Sequence, residues 1–128
     1  MTSEINFTGR SAPRGIVAPG PRVQLGIKQG DSFQIRPGEP LYVFVPLTVG
    51  TNFSFAQMEK SAFSIGPSQM PPGVGTPRIA GEWFQISMTP GVREGTREEV
   101  RLQTKATPEA VAHTALTFTL VTGGRRFY

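Results

Sequence analysis

LYVFVPL, residues 41–47, is apolar at every position. Side chains of a strand alternate between two faces. A short run that is apolar on both therefore predicts a central strand, or one whose outer face is also covered. Upstream, VQLGIK (23–28) alternates Val23, Leu25 and Ile27 against Gln24, Gly26 and Lys28, and DSFQI (31–35) repeats the pattern with Phe33 and Ile35. QGD (29–31) and RPGEP (36–40) are turn signals between them. Downstream, TVGTN (48–52) breaks the run, and FSF (53–55) and AFSI (62–65) are short strand candidates.

The second half continues in the same way. RIAGEWFQISM (78–88) sets Phe84, Ile86 and Met88 against Gln85 and Ser87, with Gly81 as a candidate bulge. EEVRLQTKA (98–106) puts Val100, Leu102 and Thr104 on one face and Glu99, Arg101, Gln103 and Lys105 on the other. ALTFTLVTG (115–123) does the same with Leu116, Phe118 and Leu120. TPGVREGT (89–96) is a turn, and TPEAVAHT (107–114) has room for one helical turn, with Thr107 as cap and Pro108 at the first helical position. GPSQMPPGVGTPR (66–78) has four prolines and three glycines and is the longest expected loop of the body. About seven or eight short strands with turns between them predict an all-β fold, an antiparallel β-sandwich of jelly-roll or immunoglobulin-like type.

The 128-residue chain is one domain's worth of sequence and long enough for a hydrophobic core. Its fifteen glycines and twelve prolines fall short of the share that marks a low-complexity chain, and point to turns instead. It contains no cysteine, which excludes disulfides and thiolate metal sites and fits a reducing cytoplasm. With no apolar leader and no run near ~20 apolar residues, a soluble intracellular protein is expected.

The two ends differ from the body. GRSAPRGIVAPGPR (9–22) has three arginines, three prolines and three glycines, so neither a helix nor a central strand fits it. The expected organisation is an extended arm over 1–22, a sandwich over 23–123 and a basic-aromatic tail over 124–128. Ten of the thirteen basic residues are arginine, which favours bidentate contacts at interfaces. Arg10, Arg14 and Arg22 lie in the arm, and Arg125 and Arg126 in the tail. In extended form the arm spans roughly 60 Å, more than the width of the domain. Phe7, Ile16 and Val17 supply its apolar anchors, Phe127 and Tyr128 those of the tail, and Met70 and Val74 those of the long loop. These residues are the expected partner-binding set, together with Trp83.

Candidate chemistry is sparse. His113 is the only histidine and has no metal-binding or triad companions in the sequence pattern, so it is expected at the edge of a strand start. Glu98 and Glu99 are adjacent on a strand, face opposite ways, and are expected as its solvated start. Asp31 is the only aspartate and sits in a turn. GVGT (73–76) is glycine-rich but opens no helix, so a turn is expected and not a phosphate site. No catalytic, cofactor or metal residue is assigned, and an enzyme is the least expected class. If Phe84 faces inward, Trp83 faces outward, which suits a sugar ring or a protein neighbour. A net charge of +4 with mixed-sign strand faces favours a protein neighbour over nucleic acid.

In general plan, a small cysteine-free sandwich with arginine- and proline-rich ends resembles the capsid decoration (cement) proteins of tailed bacteriophages. The resemblance implies a non-enzymatic virion protein, made in the host cytoplasm. It would bind the major capsid protein or other virion subunits, often as a dimer or trimer, and need no cofactor. Two other readings share the fold. One is a carbohydrate- or surface-binding module using Trp83, Tyr42 and the 66–78 loop; the other is a phage tail or connector component.

Overall fold

In the computed structural model, which describes residues 22–123, eight strands form two four-stranded sheets. In chain order they are β1 (Arg22–Leu25), β2 (Ser32–Ile35), β3 (Leu41–Pro46), β4 (Ser54–Ala56), β5 (Phe63–Ser68), β6 (Gly81–Met88), β7 (Arg97–Thr104) and β8 (His113–Thr122). The first sheet has the order β1-β3-β6-β5 and the second β2-β8-β7-β4. That is the arrangement of an immunoglobulin-type sandwich with one extra edge strand, β2, beside the last strand. The all-β sandwich is as the alternation predicts. Four of the six pairings are antiparallel, whereas β1 on β3 and β2 on β8 are parallel, each at a sheet edge.

The LYVFVP segment forms the interior strand β3, between β1 and β6. Leu41, Val43 and Val45 point into the sandwich and meet Ile35, Phe84, Ile86, Val100, Leu102, Phe118 and Leu120 in one buried cluster. Phe44 points the other way and is buried as well, its ring 5.3 Å from that of Trp83. Both halves of the expectation for this run therefore hold: it is interior, and part of its outer face is covered. Gly81 is no bulge. It pairs with Pro46 at the first position of β6, where a Cβ would fall against the Phe44 ring and the Val45 carbonyl. The register irregularity lies instead at Leu102/Gln103.

Other boundaries move by a few residues. β5 runs on through Gly66 and Pro67, so the long loop is 69–80. Pro67 is tolerated because β5 is an edge strand. The 107–114 segment makes a single turn, closed by Ala110 N–H donating to Thr107 O at 3.0 Å, and no helix.

Glu98 requires a correction. The alternation is right that Glu98 and Glu99 face opposite ways, but only Glu99 is solvated. Glu98 is 6% exposed and its carboxylate accepts hydrogen bonds from Ser61 Oγ at 2.6 Å and Ala62 N–H at 2.5 Å. Ser61 Oγ in turn accepts from Gln57 Nε2 and Phe63 N–H. A buried carboxylate persists because donors of the 57–63 turn satisfy it.

Candidate protein-binding end

Three connections meet at one end of the sandwich: 47–53, 69–80 and 105–112. The register places them there, since Pro46 faces Gly81, Ser68 faces Trp83 and Thr104 faces His113. The first and third are bolted together. Lys105 N–H donates to Thr51 O at 3.0 Å, and Lys105 O accepts from Thr51 Oγ1 at 2.9 Å and Asn52 Nδ2 at 3.1 Å. Asn52 has φ of 52°, a left-handed conformation that Asn adopts more readily than most residues. The first and second are joined by Leu47 N–H donating to Ala80 O at 2.9 Å. The loop end is thus tied by backbone bonds across the two sheets.

Its surface is unusually apolar. Of the six large apolar side chains exposed among the described residues, Leu25, Leu47, Met70, Ile79 and Val111 lie at this end, and only Met58 lies elsewhere. Scattered exposed apolar residues are normal; a group of them at one end marks an interaction surface.

The expected partner-binding residues separate under this geometry. Met70 is exposed and Val74 half-buried, both in the 69–80 loop. Trp83 does face the outer side of its sheet, but it is only 9% exposed and packs on Phe44. It therefore offers no open ring, and the expectation of Trp83 as a contact platform is corrected: Phe44, its cross-strand neighbour, covers it. Tyr42 is half-buried. Arg22 lies at the opposite end, where its Nη1 donates to Gln34 O at 2.6 Å. Gly123 is beside it, with its N–H donating to Ile35 O at 2.7 Å. Arg22 and Gly123, the first and last described residues, therefore both lie at the end away from the three loops. Phe7, Arg10, Arg14, Ile16, Val17, Arg125, Arg126, Phe127 and Tyr128 lie outside the described residues.

Sequence reasoning missed Leu25, Leu47, Ile79 and Val111. The alternation groups Leu25 with Val23 and Ile27, but Leu25 lies beside Phe44 on the outer face and is 65% exposed. The sequence pattern places Leu47 and Ile79 in strands that in fact end at Pro46 and begin at Gly81, and Val111 is a lone apolar residue in its connection. His113 is exposed at the first position of β8, as expected for a strand start. Among the described residues no three His, Cys, Asp or Glu side chains are grouped to hold a metal ion.

No family model matches this chain, and no curated protein matches it. Among solved structures it is similar to amebosin, with 19% identity over 80% of this chain and 99% of that one and a TM-score of 0.47. It is also similar to the cysteine protease inhibitor EhICP2 from Entamoeba histolytica, with 10% identity over 79% of this chain and 93% of that one and a TM-score of 0.47.

Proposed function

We propose that this chain is a non-enzymatic protein-binding domain that seats its loop end on a partner protein. The observation that carries the proposal is the concentration of exposed Leu25, Leu47, Met70, Ile79 and Val111 at the end where the three loops are tied together. Apolar surface left in water is unfavourable by about 25 cal/mol per Å², and a rigid loop end loses little entropy when that surface is covered. The arginine-rich segments attached at the other end supply a second point of contact. A domain with two contact ends suits a structural protein that ties subunits together. The partner we propose is accordingly a virion shell subunit, as the resemblance to capsid decoration proteins implies.

The test is site-specific photo-crosslinking from position 111 in the native cell, with the product identified by mass spectrometry. A crosslink to a shell subunit is expected, falling by more than about tenfold in Leu47→Asp, a loss of the size that hot-spot residues carry. The same chain is titrated into a cysteine protease. Stoichiometric inhibition there, with no shell crosslink, would replace the shell reading by an inhibitor reading.

Removing residues 1–20 is expected to leave the sandwich folded and to weaken assembly. Among the described residues the buried cluster begins at Ile27 and ends at Leu120, so the deletion removes none of these core side chains. Tm should move by less than about 4 °C. Wholesale unfolding on this deletion would show the segment to be part of the core.

A further inference from the structure

We propose that the outer edge of β1 and the groove beside it form a seat for an extended segment of a partner protein carrying an apolar side chain and, two residues on, a carboxylate. This rests on the protein-binding reading only in taking the partner to be a protein.

Three observations converge. First, among the described residues β1 is an edge strand with one paired side: Gly26 N–H donates to Phe44 O, and the parallel register sets Leu25 against Phe44. In a parallel ladder alternate residues point their backbone groups at the partner strand. Gln24 and Gly26 face β3, so the N–H and C=O of Val23 and Leu25 face outward, where no described residue pairs with them. Second, the groove flanking this edge is lined by Leu25, Phe44, Pro46, Pro77 and Ile79. Leu25 and Ile79 are 65% and 55% exposed there, so an apolar side chain entering from an added strand would cover both. Third, Arg78 lies on the rim of the same groove, exposed and without an ion-pair partner among the described residues. Side chains on one face of a strand recur every second residue, which sets the spacing between apolar anchor and carboxylate. Strand addition of this kind takes its affinity from main-chain bonds and its selectivity from the alternate side chains.

The test is an amide NMR titration of the full chain with the blocked heptapeptide acetyl-Thr-Thr-Leu-Thr-Glu-Thr-Thr-amide. Before peptide is added, the Val23 and Leu25 amides are expected to exchange with solvent freely. On titration, their signals and that of Ile79 should shift saturably with a Kd below about 1 mM. Replacing the peptide's Glu by Lys should weaken binding about tenfold, and Arg78→Glu should invert that preference. Val23→Pro removes an outward N–H that bonds to no described residue, so the fold is expected to be kept and binding to fall about tenfold. Should that variant misfold, the Arg78→Glu inversion still decides. Leu47→Asp, outside this groove, should leave the peptide titration unchanged while lowering partner crosslinking from position 111, which separates failure of this seat from failure of the loop-end reading. Equal binding of the Glu and Lys peptides overturns the proposal, as does the absence of saturable shifts. Protection of Val23 and Leu25 amides in the free chain also overturns it, because the seat would then be filled by the protein itself or by a second copy.

Discussion

Phe118→Ala is expected to lower the stability of the domain by about 3–5 kcal/mol, the range for removing a buried aromatic ring. Phe118 is 1% exposed and sits midway along β8, an interior strand of the second sheet. Its ring meets Phe33 of β2 edge-on at 6.1 Å and Phe55 of β4 at 6.2 Å. Phe55 continues the chain of rings to Phe84 of the opposite sheet at 4.8 Å. Truncation would leave a cavity between the sheets that β8 cannot collapse into, because its backbone is held on both sides by β2 and β7. The measurement is equilibrium denaturation, with the slope checked to be that of wild type. A loss below about 1 kcal/mol would mean that the ring does not sit between the sheets.

Glu98→Ala is expected to cost about 2–4 kcal/mol, although the sequence marks it as a surface acid. The loss is more than one hydrogen bond. The Ala62 N–H is buried and has the Glu98 carboxylate as its acceptor, so truncation strands a donor away from water. Ser61 loses its acceptor at the same time, and with it the anchor of the Gln57–Phe63 turn on β7. Glu99→Ala, one residue on and facing solvent, should change stability by no more than about 0.5 kcal/mol. Hydrogen exchange should show the Ala62 and Phe63 amides losing protection in Glu98→Ala and keeping it in Glu99→Ala. Equal effects of the two substitutions would contradict the burial of Glu98.

The strands were legible because period-two alternation is local: Val100, Leu102, Leu116, Phe118 and Leu120 each declare their face through their immediate neighbours. The same alternation told that Glu98 and Glu99 part company, but not which of them enters the core. That depends on donors at Ser61 and Ala62, more than thirty residues away. It likewise told that Trp83 opposes Phe84 without telling that Phe44 lies over it, since the covering ring comes from another strand. The parallel placement of β1 and β2 was not legible, because a strand's own side chains do not encode the direction of its neighbour.

The candidate site shows the same division. Leu47, Val111 and the pair Met70 and Ile79 stand in three separate connections, and nothing in their sequence neighbourhoods relates the three. Their meeting at one end follows from register: Pro46 against Gly81, and Thr104 against His113. What the sequence determined by itself is the all-β class and the core faces of β3, β6, β7 and β8, because these follow from local period. What only the tertiary structure decided is which connections share an end, which acid is buried and which strands pair with which, because those depend on contacts between residues far apart in the chain.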